Sequence, residues 1–176
     1  AMGFDGSDNR LRDVQRRLPH LFSNLSVIST LGIKPPGGCH YPADGYSQFA
    51  TMMLPLVQQK IYGKTPSAIL TPPNLQAARW IGIDRKTIEL EFDSEVLWNE
   101  GCANQFYLGK KRLEVESGSA AGRTIRLQMK GPVEVAAHTS DEITYLDSSG
   151  WSQDRLLLGA NGLAALTFSD ALILQN

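Results

Sequence analysis

Apolar and polar positions alternate in two different rhythms along this chain, and the change falls near residue 64. In the first third, Leu11, Val14, Leu18 and Leu21 recur at spacings of three and four, which predicts an amphipathic helix. Asp8 or Asn9 can cap its start, and Pro19 should end it within a residue or two. LSVIS at 25–29 is a short apolar run that reads as a buried strand. KPPGGCHYPADGY at 34–46 is loop chemistry, and a second helix follows it, with Asp44 as the expected cap. Tyr46, Phe49, Met53, Leu56 and Val57 share one side of that helix, and Pro55 should kink or break it.

KTPSAILTPPN at 64–74 reads as a linker or crossing segment, and beyond it the period becomes two. Runs at 75–82, 87–93, 105–108, 112–117, 123–129, 142–147, 163–168 and 171–174 predict short strands separated by Gly, Asp, Asn and Ser turns. In IELEF, Ile88, Leu90 and Phe92 point one way and Glu89 and Glu91 the other, the latter as a solvated face. About seven strands in about 105 residues is the size of an immunoglobulin-like antiparallel sandwich. One strand and two helices cannot make a sheet, so residues 1–64 read as the tail end of a larger α/β domain. The unpaired strand 25–29 then predicts self-association through its edges.

Composition narrows the function classes. With 42% hydrophobic and 20% charged residues the chain should bury a core. A net charge of −1 argues against an electrostatic nucleic-acid binder, and no window approaches the roughly 18–20 apolar residues of a membrane span. The opening AMGFDGSDNR lacks the profile of a signal peptide, and Ala1-Met2 reads as an expression remnant. Charge is uneven: residues 1–64 carry 7 basic and 4 acidic side chains (+3), and residues 65–176 carry 10 and 14 (−4). Cys39 and Cys102 stand in no CxxC or Cys/His spacing, so neither a disulfide framework nor structural zinc is expected. Asp147, Asp154 and Asp170 lack a calcium-loop spacing. No cofactor and no metal are called for.

Few residues are candidates for chemistry. Ser7 in DGSDN resembles a hydrolase elbow, but no apolar strand precedes it to present the hydroxyl at a sharp turn. Cys39 beside His40 reads as a bystander thiol, because sequence neighbours seldom point at each other productively. His20 and His138 read as surface residues. His40 precedes a helix in a Gly/Pro-rich loop, where a general base can reach both a nucleophile and solvent; a plain loop histidine is the alternative. Trp80 reads as core, whereas Trp98 and Trp151 in turn-rich stretches are either packed anchors or sugar-stacking platforms.

GGCHYPADGYSQFATMMLPLVQQKIYG at 37–63 resembles the last block of the SGNH hydrolases, especially the sialate O-acetylesterase-like carbohydrate esterases. In those enzymes the catalytic His is followed by a short turn, Gly-Tyr and the final helix. RLRDVQRRLPHLFSNLSVIST at 10–30 resembles the helix and strand before that block. The resemblance covers residues 8–64 and implies that His40 is the catalytic base of an acyl-serine mechanism on an acetylated carbohydrate. It also implies a secreted or periplasmic enzyme. Gly37 stands where the family often has a carboxylate, and the family's serine and oxyanion blocks lie N-terminal to this region and are not in this sequence. The chain alone is therefore expected to be inactive.

Residues 65–176 resemble bacterial Ig-like domains in TIELEFDSEV, QFYL, RTIRLQM, EITYLD and GANGLAALTFSDALI. The expected fold is α+β: the incomplete C-terminal part of an SGNH α/β hydrolase domain over 1–64, joined to an Ig-like antiparallel β-sandwich over 65–176. The alternative is a carbohydrate-binding or structural Ig-like module with a vestigial hydrolase segment.

Overall fold

The computed structural model describes residues 9–34, 40–109, 111–133, 141–147, 152 and 154–175. Two helices, α1 (Asn9–Leu21) and α2 (Ala43–Tyr62), precede the strands. These are β1 (Leu75–Ile81), β2 (Thr87–Phe92), β3 (Val96–Leu97), β4 (Phe106–Leu108) and β5 (Lys111–Arg112). They continue as β6 (Val115–Ala121), β7 (Thr124–Met129), β8 (Glu142–Tyr145), β9 (Leu158–Gly159) and β10 (Phe168–Leu174). Eight form a curled mixed sheet in the order β5-β4-β8-β10-β1-β2-β7-β6, and β3 pairs with β9. The fold is thus α+β and rich in β-structure.

The sheet curls because its two halves share one core. Ile88, Leu90 and Phe92 of β2 and Ile125 and Leu127 of β7 are buried, as the period of two requires. Facing them are Phe106, Tyr145 and Phe168, whose rings follow one another at 5.1 and 5.7 Å between centroids. Glu89 and Glu91, on the other face of β2, form cross-strand ion pairs with Arg126 at 2.9 Å and Arg79 at 3.0 Å.

Three expectations about the strands need correction. Every sheet pair was to be antiparallel, yet β1 pairs with β10 in parallel, Ala78 opposite Ile173. That pair joins the two halves, so their strands need not be linked by a hairpin. The run at 163–168 is not a strand before Phe168. Its backbone bonds in several directions, Ala165 N–H to Leu157 O and Leu166 N–H to Pro73 O, both at 2.9 Å. The predicted strand 25–29 also has no ladder partner among the described residues.

Helix α1 ends at Leu21, two residues after Pro19, as expected, but the face it presents is the reverse of the expected one. Leu11, Val14 and Leu21 are 54%, 48% and 74% exposed, while Asp13 and Arg16 are buried. The cause lies in β10. Its pairing with β8 shifts register between Phe168 and Ala171, and Asp170 sits at φ 52°. Such a bulge removes backbone N–H groups from the ladder, and they need other acceptors. Ser169 N–H donates to Asp13 Oδ1 at 3.3 Å, and Asp170 N–H donates to Thr144 Oγ1 at 3.0 Å.

Arg16 completes the clamp. Its Nε donates to Asp13 Oδ1 at 2.8 Å, and its Nη1 donates to Asn74 Oδ1 and Leu75 O, both at 3.0 Å. Asn74 Nδ2 returns a bond to Arg16 O at 3.0 Å, and the guanidinium lies 6.0 Å from the centre of the Phe168 ring. Burial lowers the Arg16 pKa from its ordinary value, and the Asp13 carboxylate opposes that shift. Apolar contacts add to the joint: Ile33 is buried and Leu31 packs on the sheet core.

Trp98 is half-buried, stacked on Phe106 at 6.4 Å, with its Nε1 donating to Glu100 at 2.8 Å. It fills the space that a side chain on Gly118 of β6 would need: a Cβ there would come within 2.1 Å of Trp98 Cζ2. Gly118→Ala is therefore expected to cost about 1–3 kcal/mol by forcing the indole aside. Urea unfolding gives the cost, and a red-shifted tryptophan emission reports the displaced ring.

Candidate functional site

The loop before α2 holds the one sequence-predicted site residue within the described region, His40. Helix α2 starts on Pro42, at φ −65° and ψ 166°, whose carbonyl accepts from Gly45 N–H at 2.9 Å and Tyr46 N–H at 3.2 Å. Asp44 is not the cap: it lies in the first turn, where its charge complements the helix dipole without a capping bond. The helix continues through Pro55 and closes at Gly63, which is left-handed at φ 65°. Gly63 N–H donates to Gln59 O, the bond of an αL cap, and Lys64 N–H donates to Gln58 O, both at 3.1 Å.

His40 is exposed, and its Nδ1 lies 3.4 Å from Tyr46 Oη. With the proton on Nδ1, that nitrogen donates to Tyr46 and leaves Nε2 as the acceptor, the form a general base requires. Tyr46 is held edge-on to Tyr41, with centroids 5.9 Å apart and planes at 89°. Tyr41 Oη donates to Thr30 O at 3.5 Å. Gly45 is a glycine because a Cβ there would stand 2.9 Å from Tyr41 Cβ. The sequence signal for Tyr46 was the Gly-Tyr pair after the turn, but its reach back to His40 needed the helix geometry.

The remaining candidates are dispersed. Ser7, Gly37, Cys39, His138 and Trp151 lie outside the described residues. His20 is exposed at the end of α1 and lines a groove of about 690 Å³ with Leu25, Leu56, Lys60 and Ile69. His40 is not part of its wall. Among the described residues, no group of three or more His, Cys, Asp or Glu side chains could hold a metal ion. No described helix is long and apolar enough to cross a membrane.

Cys102 is fully buried in the turn between β3 and β4, and burial pushes its thiol from 9.0 up to about 11. The folded chain keeps this proton at pH values where the unfolded chain has lost it. Stability is then complete below about pH 9 and falls as pH rises towards 11, by about 2–3 kcal/mol. Tyr145, also raised by burial, acts in the same direction at higher pH. Urea midpoints should decline over that window, and peptide mapping after iodoacetamide at pH 8 should find Cys102 unmodified in the folded chain.

No family model matches this chain, and no curated protein does. Among solved structures it is similar to the crystal structure of the S-layer protein rSbsC(31-844), with a TM-score of 0.38 and 15% identity. That match covers 61% of this chain and 14% of the other, and a likeness so slight carries no functional argument.

Proposed function

We propose that this chain is the C-terminal region of an SGNH-type carbohydrate O-acetylesterase, in which an Ig-like sandwich holds the last helices of the hydrolase domain. The observation that carries this reading is the inverted α1. Its polar face is occupied by the sheet, while Leu11, Val14 and Leu21 of its apolar face, with Phe22, and Leu54, Ile61 and Tyr62 of α2 remain exposed. Helices of an α/β domain keep such faces for a sheet, here one supplied by further polypeptide.

The strand order supports the sandwich part. Lettered in chain order, β1, β2, β4, β5, β6, β7, β8 and β10 become A, B, C, C′, D, E, F and G. The halves then read A-B-E-D and G-F-C-C′, the arrangement of immunoglobulin-like domains. The closed packing of Trp98 under Gly118 favours a structural mount over a sugar-stacking surface.

In the complete enzyme His40 takes the proton of a serine hydroxyl as it attacks the acetyl carbonyl, gives that proton to the departing sugar oxygen, and then activates water. The substrate is an acetylated carbohydrate, met outside the cell or in a periplasm. The test is acetate release from acetylated sugars. The 176-residue chain alone should release none above background. Joined to the polypeptide encoded upstream in its gene it should be active, and His40→Ala should lower kcat by about 10³-fold or more. Activity of the chain alone, or indifference of the joined enzyme to His40→Ala, would refute the reading.

A further inference from the structure

Helix α2 opens on an aromatic staple. With Pro42 as its N-cap, Tyr41 is the residue before the cap and Tyr46 the fourth within the helix, the two positions that pack together in a hydrophobic staple. Their rings meet edge to face. A staple fixes the angle at which the chain enters the helix, and His40 is the next residue upstream. The phenol that closes the staple therefore also sets its hydroxyl at His40 Nδ1, 3.4 Å away. Among the described residues no carboxylate bonds either nitrogen of that ring, and the Gly37 position has none to offer.

We propose that Tyr46 is the positioning residue of His40, its neutral hydroxyl accepting from Nδ1–H where a serine–histidine site ordinarily has a carboxylate. The inference rests on the esterase reading, and the direction of the bond follows from the proton transfer. Once Nε2 has taken the serine proton both ring nitrogens are donors, so only an acceptor at Nδ1 keeps its bond through the step. Tyr46 is 47% exposed, so its hydroxyl hydrogen can turn to solvent while a lone pair serves Nδ1. A phenol does not neutralise the imidazolium as a carboxylate does. It holds the tautomer and the orientation of the ring.

Tyr46→Phe separates the hydroxyl from the staple, because the ring that packs on Tyr41 is kept. Proton–nitrogen correlation spectra of the isotope-labelled chain at about pH 8.5, above the ordinary imidazole range, read the tautomer. Nδ1 of His40 should carry the proton in the native chain. In Tyr46→Phe the share of the Nε2–H form should rise several-fold, with His20 unchanged as the internal reference. In the enzyme joined to its upstream polypeptide the same variant should lower kcat about tenfold or more at an unchanged KM. A tyrosine that only packs would move neither quantity. The proposal is overturned if His40 carries its proton on Nε2 in the native chain, if Tyr46→Phe leaves the tautomer as it was, or if kcat is indifferent to the variant. Failure of the native joined enzyme to release acetate would instead remove the esterase reading, and the tautomer spectra would still decide the bond.

Discussion

Asp13→Ala should destabilise the docking of α1 by about 3–5 kcal/mol, the cost of leaving a buried cation without its counter-charge. Arg16 would keep its bonds to Asn74 and Leu75, yet its only carboxylate partner among the described residues would be gone. The bulged Ser169 N–H would lose its acceptor as well. Adding Arg16→Met to that variant should restore part of the loss, because it removes the stranded charge and retains much of the volume. Arg17, whose Nη2 lies 2.7 Å from Asp13 on the more exposed side, should matter far less when replaced by Ala. Denaturation of the three variants separates these contributions.

Trp80→Ala should cost about 3–5 kcal/mol, a large share of the stability of a domain this size. Trp80 is fully buried on β1, the strand that joins the halves of the sheet. Its Nε1 donates to Asp141 Oδ2 at 2.6 Å, just before β8, so the indole ties one half to the other. Asp141 is buried and also receives Gln175 Nε2 at 3.4 Å, with Arg85 Nη1 at 3.6 Å. Trp80→Phe should cost less, since the ring volume is largely kept and only the donor is lost. Thermal melts of both variants give the ratio.

How much of this was legible depends on the range of the interaction. β2 and β7 follow directly from alternation, because each buries one face, and β1 does so past its bulge; β4 and β8 are buried on both faces and show only as short apolar runs. The two-residue strands β3 and β9 carry too few residues for any period to show. The orientation of α1 was misread for a physical reason. Periodicity locates an apolar stripe but not its neighbour, and the bulge in β10 that attracts Asp13 lies 156 residues away in sequence. His40 was singled out by loop chemistry and a resemblance alone, whereas the Tyr46 hydroxyl at its Nδ1 emerged only from the turn of α2.

Helix α1 is anchored to the sheet by its polar face. Hydrogen exchange of the α1 amides tests this most directly. Protection of residues 13–21 comparable to that of β1 and β10, and lost in Asp13→Ala while the strands stay protected, is the expected result. Amides of α1 exchanging freely in the native chain, beside a protected sheet, would contradict the clamp and with it the mounting role proposed for the sheet.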